Sequence, residues 1–235
     1  MIKDAELVII IPTYNEGKNI PILLKRIYQV VHNASVILVD DSDLQKNALM
    51  KRDVRSFKNV QLVSRFRKLG RGSAVVTGFK EALKNKRLKY FFEMDADLAH
   101  DPVEFPKFFS KINSTDLVIG SRYLDGSHIQ KWPLRRLILS KLINKSLKMW
   151  LGVDVSDYTN GFRLYTRKAV EFLAEQNLKE SGFIALSEIA YKLKKAGFRI
   201  TEVPITFTDR IYGKSNAGVS EHLHAIWGVL RIKFS

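Results

Sequence analysis

Short apolar runs alternate with segments of helical period through the first half of this chain, and that alternation leaves few folds open. Residues 7–11, 35–39, 60–63, 90–94 and 117–120 are such runs, rich in valine, isoleucine, leucine and phenylalanine. Most are continuous rather than alternating, the pattern of strands buried on both faces. Between them, residues 19–31 place Ile20, Leu23, Leu24, Ile27 and Val30 at helical spacing. A polar helix is expected after the second run, up to Phe57, and another from residues 70–74 to Leu83. A fourth covers residues 102–112, with Phe105, Phe108 and Phe109 turned inward. Strands that alternate with helices predict right-handed βαβ units, hence an α/β fold with a mainly parallel sheet flanked by helices.

Such a sheet binds ligands at the carboxyl ends of its strands, and there the chain concentrates polar residues. The fourth run ends in Asp95 and Asp97, one residue apart. Paired carboxylates suit a hard divalent cation, Mg²⁺ or Mn²⁺, bridging to a substrate phosphate. The tripeptide alone also reads as a solvated turn before a helix started by Asp101-Pro102. The first run ends in Pro12-Thr13-Tyr14-Asn15-Glu16-Gly17, the second in Asp40-Asp41 and the fifth in Ser121-Arg122. A tyrosine such as Tyr14 can stack on a nucleobase. Glu16 and Asp40 can accept hydrogen bonds from a base N–H or a ribose hydroxyl, and Asp41 is grouped with them. Together these describe a nucleoside-diphosphate site with neither a Walker loop nor a G-x-G-x-x-G fingerprint after the first strand. The Gly70-Arg71-Gly72-Ser73-Ala74 stretch after the third strand is a weak phosphate-loop signal and reads more readily as a turn and helix start.

The second half is organised differently. Residues 134–151 predict a long amphipathic helix with apolar Leu134, Leu137, Ile138, Leu142 and Trp150 and basic Arg135, Arg136, Lys141, Lys145 and Lys148. That pattern fits docking at an anionic bilayer and equally a packed helix with a solvated basic face. Residues 157–165 read as irregular, 185–196 as a helix, and 200–207 as an extended edge segment containing Pro204. Residues 220–234 read as a last amphipathic helix carrying Leu223, Ile226, Trp227 and Leu230.

A formal charge of +15 calls for an anionic partner, whether nucleic acid, a phosphate-rich ligand or an acidic membrane surface. A nucleic-acid-binding domain would interleave basic residues with exposed aromatics and keep carboxylates away from the strand ends; the opposite arrangement here argues for no nucleic acid partner. The absence of cysteine excludes disulfides, thiolate metal sites and cysteine nucleophiles. No signal peptide and no apolar stretch of the roughly 18 residues that span a bilayer are visible. A soluble or peripheral protein is expected from this, unless a membrane part lies beyond Ser235, and the location expected for it is the cytoplasm, on the cytoplasmic face of a membrane. His100, His128, His222 and His224 do not form a metal set, and no serine sits in a nucleophile elbow.

Leu7-Val8-Ile9-Ile10-Ile11-Pro12-Thr13-Tyr14-Asn15-Glu16 resembles the opening of inverting family 2 glycosyltransferases, and Met94-Asp95-Ala96-Asp97-Leu98-Ala99-His100 the metal motif of their dolichol-phosphate mannosyltransferase branch. Gly120-Ser121-Arg122-Tyr123, the stretch from Ser156 to Arg163, that from Glu202 to Phe207 and that from Asp209 to Ser215 extend the match in order over nearly the whole chain. The resemblance implies a single GT-A domain over residues 1–235, Rossmann-like, with its nucleotide-binding part at about 1–122 and its acceptor-binding part at about 123–235. It implies inverting, metal-dependent transfer of mannose from GDP-mannose to a polyprenyl phosphate such as dolichyl phosphate. UDP-glucose, or another nucleotide sugar, is the alternative donor. By the same resemblance Asp97 is the principal ligand of Mg²⁺ or Mn²⁺, with Asp95 beside it. Pro12, Tyr14, Glu16 and Asp40 hold the nucleoside, and Arg122, Arg136 and Arg210 hold the phosphates of donor and acceptor. A membrane surface is an implied partner, and a membrane-embedded subunit stays open. The chain departs from the branch at Ala99, where relatives carry a possible metal ligand, and at Asn216, where they carry a phosphate-binding lysine that Lys214 replaces. It also departs in the loop from Asp40 to Leu44. Asp157 is the remaining carboxylate for orienting sugar or acceptor, or else a helix or turn cap.

Overall fold

The computed structural model describes residues 2–176, 178, 182, 184–209 and 231–233. Its first half alternates as expected: β1 (Leu7–Thr13), α1 (Ile20–Val30), β2 (Ser35–Asp40), α2 (Leu44–Val54), β3 (Val60–Ser64), α3 (Arg71–Leu83), β4 (Tyr90–Glu93), α4 (Phe105–Phe109) and β5 (Leu117–Ser121). Then follow β6 (His128–Gln130), α5 (Leu134–Leu151), β7 (Arg163–Thr166), α6 (Arg167–Glu175), α7 (Ile184–Lys195), β8 (Ile200–Pro204) and β9 (Thr206–Thr208).

Seven strands form one sheet in the order β3-β2-β1-β4-β7-β5-β8. All its pairings are parallel except those of β7, which runs antiparallel between β4 and β5. Successive residues of β1 go to opposite faces, as a strand requires. Val8 and Ile10 pack with Val75 and Phe79 of α3, while Leu7, Ile9 and Ile11 pack with Leu23, Leu24 and Ile27 of α1. Helix α3 lies close to the sheet because Gly78 has no side chain: a Cβ there would come within 2.5 Å of Ile10 Cγ2.

Three expectations are corrected. Residues 157–165 are not irregular throughout, since Arg163 opens β7. Its charge hid the strand, because a fully buried arginine is uncommon. It is satisfied there by donating Nε to the carbonyl of Asn160, Nη1 to that of Leu186 and Nη2 to that of Tyr158. The extended segment 200–207 is two strands. β8 closes the sheet at its edge and ends at Pro204, and β9 pairs with β6 in a separate ribbon. The helix foreseen over 102–112 is shortened to α4 between two 3₁₀ turns, with Phe105 and Phe108 buried and Phe109 partly so.

Helix α5 has the expected bounds and an unexpected orientation. Asn144, Leu147 and Leu151 face the protein, yet Leu134, Ile138, Leu139, Leu142 and Met149 are 51–77% exposed. Both faces are apolar. At 100° per residue, Ile138, Leu142 and Met149 lie opposite the buried face, flanked by exposed Arg135, Lys141, Lys145 and Lys148. Of the last expected helix, residues 231–233 are helical, and 220–230 and 234 lie outside the described residues. No helix among the described residues is long and apolar enough to cross a membrane.

Candidate functional site at the strand ends

Asp95 and Asp97 leave the tip of β4 in a loop tied down from several sides. Asp97 Oδ1 accepts the Ala99 N–H at 3.1 Å, and Leu98 adopts a left-handed φ of 64°. The Asp95 N–H donates to His100 Nδ1 at 3.3 Å, and His100 Nε2 lies 2.8 Å from Asn160 Oδ1. Because Nδ1 accepts, the proton sits on Nε2. Asn160 in turn donates to the carbonyl of Gly120 on β5. The His100 ring is 1% exposed and stacks on Phe162 with centroids 4.7 Å apart. His100 therefore joins the carboxylate loop to β5, a role that no spacing in the sequence marks.

Arg71, at the first turn of α3, was legible only as part of a turn. It donates Nε to Asp95 Oδ1 at 2.8 Å, Nη1 to Glu93, and Nη2 to the carbonyl of Gly161 at 3.4 Å. Glu93 is fully buried, and its other oxygen accepts the Tyr165 hydroxyl at 2.7 Å. Burial alone would lower the Arg71 pKa; the charges of Asp95 and Glu93 outweigh it and hold the guanidinium protonated. A visible signal existed: Glu93 is a charge that interrupts an apolar run, two residues before Asp95.

Arg122 and Asp157, considered separately in the sequence, form one ion pair. Arg122 donates Nε to Asp157 Oδ2 at 2.7 Å and Nη2 to Oδ1 at 2.8 Å, the bidentate geometry of a strong pair. Its backbone N–H adds a bond to the same carboxylate, and Nη2 also reaches Thr159 Oγ1. Burial would raise the Asp157 pKa, but the charge and hydrogen bonds of Arg122 hold it below the ordinary carboxylate range. Trp132, Phe207 and Tyr123 surround the guanidinium, their ring centroids 5.3, 5.4 and 5.5 Å from Cζ. Arg136 lies 4.0 Å over the same Trp132 ring and donates to Asp209 at 2.8 Å. Glu202 accepts the backbone N–H groups of Ser156 and Asp157 at 2.7 and 2.9 Å and so braces this loop from β8. Burial pushes the Glu202 carboxyl above its usual range against those bonds.

The residues expected to meet a nucleoside divide into two groups. Pro12, Tyr14 and Glu16 are partly exposed at the end of β1. Lys68 Nζ sits 5.3 Å from the Tyr14 ring centroid. Glu16 accepts from Asn19 and borders a cavity of about 620 Å³ between the β1–α1 loop and α2. That cavity does not include Asp95 or Asp97 among its walls. Asp40 and Asp41 instead face inward. Asp40 is fully buried and accepts from Thr13 Oγ1, Ser42 Oγ and Asn47 Nδ2 at 2.7–2.8 Å. Asp41 accepts a bidentate pair from Arg65 and the Leu69 N–H. Both carboxylates are buried and brace neighbouring loops through these bonds. Arg210 and Lys214 lie outside the described residues.

The strand-tip carboxylates fit a cation that completes its shell elsewhere. Both are partly exposed, and among the described residues no group of three or more histidine, cysteine, aspartate or glutamate side chains is placed to hold a metal ion. Ala99 supplies no side-chain donor. Two oxygen donors with the remaining positions left to phosphate and water match how Mg²⁺ and, similarly, Mn²⁺ are held at phosphate-binding sites.

Residues 8–173 match the model of glycosyl transferase family 2. The chain is 32% identical over 229 residues to a polyprenol monophosphomannose synthase of Mycolicibacterium smegmatis, covering 94% of this chain and 86% of that protein. It is also 32% identical over 208 residues to an undecaprenyl-phosphate mannosyltransferase of Micrococcus luteus, covering 88% and 85%. In structure it resembles glucosyl-3-phosphoglycerate synthase from Mycobacterium tuberculosis, solved with Mn²⁺ and UDP-glucose, with a TM-score of 0.65 at 16% identity over 96% of this chain and 78% of that one. The chain belongs to glycosyl transferase family 2 and has the GT-A fold.

Proposed function

We propose that this glycosyltransferase moves a mannosyl group from GDP-mannose to a polyprenyl phosphate with inversion at the anomeric carbon. The observation that carries the proposal is the juxtaposition at the strand ends of a braced Asp95–Asp97 pair and a buried, carboxylate-held Arg122. The two bacterial relatives, named for mannosyl transfer to polyprenyl phosphates, support the same substrates. UDP-glucose is the competing donor.

Asp97 and Asp95 would hold Mg²⁺ or Mn²⁺, which when bound neutralises charge on the nucleoside diphosphate. Tyr14 stacks on the base, and Pro12 and Glu16 line its approach, while Asp40 holds Thr13 at the root of that loop and Asp41 holds Arg65 and Leu69 on either side of Lys68. The acceptor is a phosphate monoester with a second pKa of about 6, so it is a nucleophile at neutral pH without a general base. Its oxygen bonds to the anomeric carbon as the bond from that carbon to the diphosphate oxygen breaks, and the electron pair leaves with the diphosphate. Arg122 offsets the repulsion between two anionic substrates, and Asp157 orients its guanidinium. Arg136, with Arg210 and Lys214, would supply further positive charge for phosphate.

A panel of nucleotide sugars with a short polyprenyl phosphate and Mn²⁺ or Mg²⁺ tests the proposal. The expected product is mannosyl-phosphoryl-polyprenol, formed fastest from GDP-mannose. Preference for UDP-glucose would move the assignment to the competing donor, and transfer only to sugar hydroxyls would reject the acceptor.

The outward face of α5 supports a second element of the proposal, docking on an acidic bilayer. Its exposed apolar line has basic residues on both sides of the helix ends, the composition that inserts into an anionic headgroup region. Arg136, on the opposite side of the same helix, holds the Trp132–Asp209 wall beside Arg122. Docking through α5 would bring that wall near the lipid phosphate. Ile138→Asp with Leu142→Asp is expected to weaken co-sedimentation with phosphatidylglycerol vesicles about tenfold or more, from the loss of ~1.5–3 kcal/mol per inserted side chain. Equal sedimentation of variant and parent would reject this face as the docking surface.

A further inference from the structure

Arg71 and Glu93 play no part in the transfer as derived above, yet they form a buried ion pair beside the cation site. The Glu93 side chain is fully buried, while those of Arg71 and Asp95 are 20% and 35% exposed. Glu93 is the last residue of β4 and Asp95 lies in the loop that follows, and both carboxylates meet the first residue of α3, Arg71. One guanidinium thus bridges a carboxylate in the core and a carboxylate at the strand tip. Its third contact is the Gly161 carbonyl. A Cβ on Gly161 would fall onto Arg71 Nη2 and Cζ. The absence of a side chain at 161 is therefore what admits the guanidinium.

We propose that Arg71 is a positioning residue: anchored on Glu93 and admitted by Gly161, it sets the Asp95 carboxylate for cation and diphosphate binding. The proposal rests on the assignment of Asp95 to that site. A buried pair is by itself weak support for stability, because desolvation offsets most of the attraction. An isolated Glu93 would have served no purpose in the core. What the pair adds is a fixed point for a guanidinium whose planar fork then restricts Asp95. Supporting partners of this kind typically change metal affinity by about 10–100-fold when removed.

The test is Mn²⁺ uptake in the presence of GDP, followed by electron paramagnetic resonance, with melting temperature recorded alongside. Gly161→Ala keeps both charges and displaces only the guanidinium. Arg71→Leu with Glu93→Leu removes the clamp without stranding a buried charge, so it remains foldable where Arg71→Ala alone could fail. Each is expected to weaken Mn²⁺ uptake about tenfold or more. Combining all three substitutions should add little, because they break one interaction. Tyr165→Phe removes the other hydrogen bond to Glu93 without touching Asp95; it should lower the melting temperature and leave Mn²⁺ uptake within about twofold of the parent. Parent-like uptake in Gly161→Ala and in the Leu/Leu variant would overturn the positioning role while leaving the site itself in place. So would losses that simply follow melting temperature across all variants, Tyr165→Phe included. Absence of GDP-assisted Mn²⁺ uptake in the parent would overturn the site and the positioning role together.

Discussion

Asp97→Ala is expected to lose transfer by about a thousandfold or more while the fold persists. The side chain is partly exposed, and its Oδ1 accepts the Ala99 N–H in the loop beyond β4. Substitutions at partly exposed positions outside the core cost little, so the melting temperature should change little. The proposed loss is electrostatic: a cation that stabilises the leaving diphosphate contributes several kcal/mol, and each ~1.4 kcal/mol is a factor of ten in rate. Steady-state turnover with the short polyprenyl phosphate measures the first quantity, and circular dichroism on heating the second. Near-normal turnover would remove Asp97 from the site.

Arg122→Ala should lose activity and stability together, which distinguishes it from Asp97→Ala. The Asp157 carboxylate is fully buried, and Arg122 supplies its countercharge and several of its hydrogen bonds. Removing one partner of a buried pair costs about 3–5 kcal/mol because the other charge stays behind. The pH dependence follows from the lowered Asp157 pKa. Stabilisation by the pair is present above the unfolded carboxylate pKa of about 3.9 and is lost as pH falls through the lower folded value. The stability difference between parent and Arg122→Ala is therefore largest near neutral pH and closes in acid. Urea denaturation at several pH values reads this directly. Arg122→Met with Asp157→Asn should recover much of the stability and none of the activity. A parent-like rate in either variant would make the pair a structural feature only.

Where the sequence was legible, one local property governed the outcome. β1, β2, β4 and β5 are buried on both faces, so their apolar runs stand out without knowledge of neighbours. The placement of Asp95 and Asp97 at a strand tip followed from the end of such a run. β7 was missed because Arg163 opens it, and only the carbonyls of residues 158, 160 and 186 make that burial tolerable. The ends of α5 were readable from its composition and from Gly152, which closes it with a φ of 68°. Which face turned inward was not readable, since leucines and isoleucines occur on both. The same limit applies to the partners of the site. His100 with Asn160, Arg122 with Asp157 and Arg71 with Gly161 are separated by 60, 35 and 90 positions, and only the folded sheet brings them together. Glu93 alone carried a local sign of its role, as a charge inside an apolar run.

The central claim is that Asp95 and Asp97 bind a nucleoside diphosphate through a divalent cation. Calorimetric titration of the parent and of Asp97→Ala with GDP, with and without Mn²⁺, tests it most directly. The account predicts that Mn²⁺ tightens GDP binding to the parent about tenfold or more, a coupling of at least ~1.4 kcal/mol, and has no such effect on the variant. GDP binding that is indifferent to Mn²⁺ in the parent, or equally Mn²⁺-dependent in Asp97→Ala, would contradict it.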